Sequence, residues 1–119
     1  MIIELNDKNY NTLINNENSK ESMVFIFSSE WCTYCKNLLK KINIIEKDKN
    51  KPCEFKIYYI QEHNSRKILN KFSIKAYPTI IFFKNNKMFN YFEGNISMEI
   101  LVENFKKLCK KNKKRFFFF

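Results

Sequence analysis

Apolar positions along this chain follow two rhythms, dense short runs and stretches in which apolar residues recur every three or four positions. Residues 23–27 form an unbroken apolar run of strand length, as a central strand buried on both faces requires. Residues 2–5 give a shorter strand, and residues 55–60, rich in aromatic and β-branched side chains, give a third. Residues 79–83 and 88–92 flank Asn85 and Asn86, whose tolerance of positive φ suits a tight hairpin. The helical rhythm places Tyr10, Leu13 and Ile14 on one face after a cap at Asn6 or Asp7. It then groups Cys35, Leu38, Leu39, Ile42 and Ile45 over residues 32–47, Ile68, Leu69 and Phe72 in a short helix, and Leu101, Phe105 and Leu108 after a cap at Ser97. Residues 15–21 and 47–52 break the pattern. The resulting order, βαβαβαββα, predicts an α/β fold, a mixed five-stranded sheet with helices on both faces and right-handed crossovers.

At the junction between the second strand and second helix stands Trp31-Cys32-Thr33-Tyr34-Cys35-Lys36. A helix start offers unpaired N–H groups and the positive end of the macrodipole, so a thiolate is favoured at Cys32. Residues three apart on a helix lie about 5 to 6 Å from one another, a spacing that a disulfide tolerates. Cys35 belongs to the inward stripe and Cys32 to the solvent-facing tip, an exposure difference that assigns attack to Cys32 and resolution to Cys35. A tetrahedral zinc site would need two more ligands, and Cys53, His63 and Cys109 lack the spacing to supply them. No metal is expected.

Composition narrows the setting. The 119 residues, 45% hydrophobic and 29% charged, suffice for one small core. The start of the sequence has no basic leader or apolar stretch of signal length, and no apolar run reaches about 18 residues. A cytoplasmic protein is therefore expected, in which Cys53 and Cys109 remain thiols filling the structure. The net charge of +10 is concentrated between Lys106 and Arg115 rather than spread along a stripe with interleaved aromatics. No nucleic-acid partner follows from it.

The Trp-Cys-x-x-Cys-Lys segment after a buried strand, Tyr77-Pro78-Thr79 before the fourth strand, Phe83-Lys84-Asn85-Asn86 and the late Gly94 together resemble the thioredoxin family. The likeness covers about residues 2–109. It implies a thioredoxin fold and a protein-disulfide reductase in which Cys32 attacks a client disulfide and Cys35 resolves the mixed disulfide. Trp31, Thr33 and Tyr34 would line the site, and Pro78 would be a cis-proline facing the dithiol. Tyr77 would offer backbone hydrogen bonds to an extended client segment, and Gly94 would let that segment approach. The resemblance implies no bound cofactor beyond a reversible Cys32–Cys35 disulfide. Partners would be disulfide-containing proteins and an external electron donor, a reductase or a glutathione-type molecule, acting on a monomer.

Departures from the family accompany the likeness. Ile26 stands where thioredoxins carry a buried aspartate, and Tyr59 where its lysine partner would be, so Cys35 is expected to deprotonate less readily. Thr33 and Tyr34 replace Gly-Pro, the tyrosine being similar to the glutaredoxin motif. Lys40 stands near the position of a helix-kinking proline. Two other functions compete: an interaction or accessory module whose redox chemistry is secondary, and a glutaredoxin-like, glutathione-dependent reductase. Residues 1–109 make the domain. Residues 110–119, basic and ending in four phenylalanines, are expected to form a disordered tail, with peripheral contact to an anionic membrane as its functional alternative.

Overall fold

The computed structural model describes residues 2–14 and 22–110. The expected break at 15–21 and all but the first residue of the tail lie outside them. The elements are β1 (Ile2–Leu5), α1 (Tyr10–Ile14), β2 (Ser22–Ser28), α2 (Thr33–Lys47), β3 (Lys56–Gln61), a 3-10 turn (Glu62–Asn64), α3 (Arg66–Lys71), β4 (Thr79–Lys84), β5 (Lys87–Glu93) and α4 (Met98–Cys109). The strands form one sheet in the order β1-β3-β2-β4-β5. β3 runs parallel to both β1 and β2, whereas β4 is antiparallel to β2 and β5 to β4. The mixed α/β sheet is the one expected from the hydrophobic rhythm.

Side chains alternate across β2, which explains its unbroken apolar run. Val24 and Ile26 join Leu38, Ile42 and Ile45 of α2 and Leu101, Phe105 and Leu108 of α4 in one core cluster. Phe25 and Phe27 face the other way, into a cluster that holds Ile68 of α3 and packs against Phe72 and Tyr10. There the Phe25 ring lies 5.5 Å from Tyr58, 5.5 Å from Phe72 and 4.9 Å from Phe83, an aromatic cluster of the kind favoured by ring edges and faces. Both sheet faces are therefore dry, and a parallel β2–β3 pair with α2 between them is stable.

Several local details differ from expectation. Asn6, not Asp7, organises the entry to α1, its side-chain oxygen accepting from the N–H groups of Lys8 and Asn9. The Asp7 carboxylate instead accepts from Lys67 N–H at 3.0 Å and Ile68 N–H at 3.1 Å, capping α3 across the chain. β3 starts one residue late, because Phe55 turns out of the strand to pack on Phe105 at 4.7 Å. The hairpin holds: Asn85 and Asn86 take φ of 55° and 66°.

Cys53 and Cys109 are not thiols. They form a disulfide with Cα atoms 5.6 Å apart. The pairing corrects the sequence reading and has a tertiary cause. The Phe55–Phe105 contact draws the segment before β3 onto the last turns of α4, which brings together two cysteines separated by 56 positions.

Candidate active site

β2 ends at Ser28, and the chain turns at once into α2. In that turn Cys32 N–H donates to the Ser29 carbonyl at 3.3 Å. Cys32 is the N-cap of α2, its extended backbone (φ −96°, ψ 108°) leaving its sulfur to accept the Cys35 N–H at 3.1 Å. A helix N-cap conventionally uses an oxygen for this work. Here a sulfur takes it, so a backbone donor and the helix dipole converge on Cys32, an arrangement that favours negative charge there. The two cysteines are joined as a disulfide with Cα atoms 5.3 Å apart, the separation expected of residues three apart on a helix.

The exposure argument needs correction. Cys32 is only 4% exposed and Cys35 1%, so both are buried. The expected solvent-facing tip is covered because the N-cap position folds the Cys32 sulfur back over the first turn toward the Cys35 N–H. The distinction between the two sulfurs therefore rests on the cap geometry, which favours charge on Cys32, rather than on access.

Around them the flanking residues separate into a floor and a rim. Trp31 is 72% exposed and Tyr34 53%, while Thr33 is exposed beside them. Trp31 is nonetheless held: its indole N–H donates to the Glu62 carboxylate at 3.3 Å, and its ring meets Tyr77 edge-on at 6.0 Å. Glu62 also acts on Tyr77. The phenol is held above its ordinary 10.0, chiefly by desolvation and further by the charge of Glu62 and a hydrogen bond to it. His63 Nδ1 lies 3.5 Å from Glu30, an exposed pair of little energetic weight.

The Tyr77–Pro78 peptide is cis, and Pro78 is buried immediately before β4. β4 lies between β2 and β5, so this proline opens an interior strand and not an edge strand, where a proline is more readily tolerated. Gly94 closes β5 at φ 87°, a backbone region open to glycine, and its N–H donates to the Pro78 carbonyl at 2.9 Å. No atom within 4 Å would meet a Cβ built there, so the glycine serves its own conformation and leaves the space beside it open. Pro78 and Gly94 are thus one unit, tied to the dithiol through β4, whose Thr79 pairs with Phe27 of β2.

Glu62 and Ser28 were not visible in the sequence as site residues. Glu62 sits in a three-residue 3-10 turn, too short to carry a periodic signal. Ser28 bonds to Tyr59, Oη to Oγ, at 2.9 Å. The register that sets Ile26 beside Tyr59 also confirms that the two positions expected to form a buried ionic pair are neighbours, occupied by an apolar and a neutral group. Among the described residues no group of three or more His, Cys, Asp or Glu is placed to hold a metal ion.

A disulfide-forming cysteine pair at a helix start, after the carboxyl end of a central strand whose antiparallel neighbour opens at a cis-proline, defines a dithiol oxidoreductase domain within this strand order. The chain belongs to the thioredoxin family, whose model, described as Thioredoxin, matches residues 1–107. It is similar to protein disulfide-isomerase 1 of Caenorhabditis elegans, 26% identical over 84% of this chain and 20% of that protein. It is 28% identical to human protein disulfide-isomerase A4, over 85% of this chain and 15% of that protein. With thioredoxin Y2, chloroplastic, of Arabidopsis thaliana it shares 29% identity over 73% of this chain and 51% of that one. The chain therefore spans about half or less of the length of these relatives. The redox-active group is the Cys32–Cys35 pair itself.

Proposed function

We propose that this chain reduces protein disulfides by dithiol exchange. The supporting observation is the Cys32 sulfur at the N-cap, receiving a backbone N–H while bonded to Cys35. In the reduced form the Cys32 thiolate attacks one sulfur of a client disulfide and expels the other as a thiolate. Cys35 then attacks the Cys32 sulfur, releasing the reduced client and restoring the pair seen here. Two electrons pass from the dithiol to the client, and an external thiol donor returns them.

Tyr77 and Pro78 lead into β4, whose Thr79 pairs with Phe27 shortly before the dithiol turn, and Trp31, Thr33 and Tyr34 supply an exposed, largely aromatic rim. That combination suits an extended client segment bound without demand for one sequence. With dithiothreitol as donor, the purified chain is expected to reduce insulin, and Cys32→Ser is expected to abolish the reaction. An active Cys32→Ser protein would refute the proposal.

A second reading is favoured by the Cys53–Cys109 disulfide, since such bonds persist in oxidising compartments. There the same pair would introduce or reshuffle client disulfides, as the names of the isomerase relatives suggest. The reduction potential of the Cys32–Cys35 couple separates the two: a value near −270 mV accords with a cytoplasmic reductase, one near −180 mV with an isomerase.

A further inference from the structure

The resolving step poses an electrostatic problem. Cys35 is buried, burial disfavours the thiolate, and only the thiolate attacks. The buried polar side chains among the described residues are Ser28, Ser29, Ser65, Thr79 and Asn104. Thr79 is already engaged, donating to the Ala76 carbonyl at 2.7 Å. Ser65 bonds to Leu5 and Asn64, and Asn104 to Ile100 and Asn90.

Ser28 differs. Because β2 and β3 are parallel, α2 must return antiparallel along the sheet between them, and its stripe shares a core cluster with Val24 and Ile26. Along that stripe Ile45, Ile42, Leu38 and Cys35 climb toward the helix start, while Val24, Ile26 and Ser28 climb one face of the strand. Cys35 therefore lies over the Ser28 end. Tyr59 packs against the same cluster and donates its phenolic proton to Ser28 Oγ at 2.9 Å. This fills an acceptor position on Ser28 and leaves the serine's own proton uncommitted among the described residues.

We propose that the Ser28–Tyr59 hydroxyl pair positions a hydrogen bond for the Cys35 thiolate during resolution, Ser28 donating to the sulfur and Tyr59 orienting Ser28. The inference rests on the dithiol-exchange reading above. After Cys32 has attacked, the expelled client thiolate takes the Cys35 proton. The Cys35 thiolate, held by Ser28, then attacks the Cys32 sulfur; the Cys32–client bond breaks and the second client sulfur leaves as a thiolate. The dithiol loses two electrons, the client disulfide gains two, and the serine and tyrosine end as they began.

The symmetric disulfide of thionitrobenzoate, a coloured leaving group, resolves these steps. One equivalent is released when Cys32 attacks and a second when Cys35 resolves. In Ser28→Ala and Tyr59→Phe the second phase is expected to slow about tenfold relative to the first at neutral pH, with its pH midpoint displaced upward by about one unit. Ser28→Thr, which keeps a hydroxyl, is expected to restore the midpoint. Tyr59→Phe removes a single oxygen from a half-buried ring and carries the test alone if Ser28→Ala does not fold. An unmoved second-phase midpoint in the folded variants overturns the inference. Absence of the first phase in the unmutated chain would overturn instead the dithiol reading on which it rests.

Discussion

Ser29 is buried beside the dithiol turn, and its Oγ has no hydrogen-bond partner among the described residues. An unsatisfied buried hydroxyl costs stability, so Ser29→Ala is expected to stabilise the fold by about 1 kcal/mol. The check is a higher urea midpoint at unchanged slope. Two phenols make the opposite kind of statement. Burial raises Tyr10 and, with help from Glu62, Tyr77 above the ordinary 10.0. A folded-state pKa above the unfolded one gives stability that is complete below pH 10 and is lost as the pH rises past it. Unfolding free energy should thus fall on the alkaline side, and Tyr10→Phe combined with Tyr77→Phe should flatten the fall. At this scale the Cys32–Cys35 bond was legible from residue type and local spacing, and the cis peptide at Pro78 from the family resemblance. Ser28 was not, since its partner Tyr59 is a neighbour only once β2 and β3 have paired.

Elements were legible where a rhythm ran long enough. α2 and α4 carry stripes over several turns, and α4 starts at the cap expected of it, Ile100 N–H reaching Ser97 Oγ at 3.2 Å, whereas the capping role of Cys32 in α2 was not foreseen. Ser97→Ala should cost about 1 kcal/mol, read as a lower melting temperature. The Glu62–Asn64 turn escaped notice because three residues hold no period. The Cys53–Cys109 bond escaped for a different reason: nothing local links residues 56 positions apart. Loop-closure entropy makes that bond worth about 4 kcal/mol at this separation. Replacing both cysteines by alanine should lower stability by an amount of that order in urea unfolding. The two-phase thiol reaction should survive, since the Cys32–Cys35 couple lies at the other end of β2.

For the whole molecule, the order of strands and helices was readable because every sheet strand is either a dense run or flanked by turn residues. What the order could not supply was the meeting of distant segments, the Asp7 cap on α3 and the α4 attachment among them. Partners belong to this scale too. In the cell Cys35→Ser should hold clients on Cys32 as mixed disulfides, and mass spectrometry of the captured proteins would identify them. On the alternative reading of residues 110–119 as a contact with anionic membranes, the full chain should sediment with phosphatidylserine vesicles and a 1–109 chain should not; equal sedimentation would leave the tail reading as the expected one.

One small contact governs how this domain would sit on anything joined to it. Ser22 Oγ donates to the Leu108 carbonyl at 3.2 Å, fastening the last turn of α4 to the first residue of a seven-residue strand. At about 3.3 Å per residue the far tip of that strand is some 20 Å away. A tether or cargo attached past residue 110 would leave from the pole opposite the sulfurs. Moored by that end, the domain would hold its working mouth outward, like a lamp on its stalk.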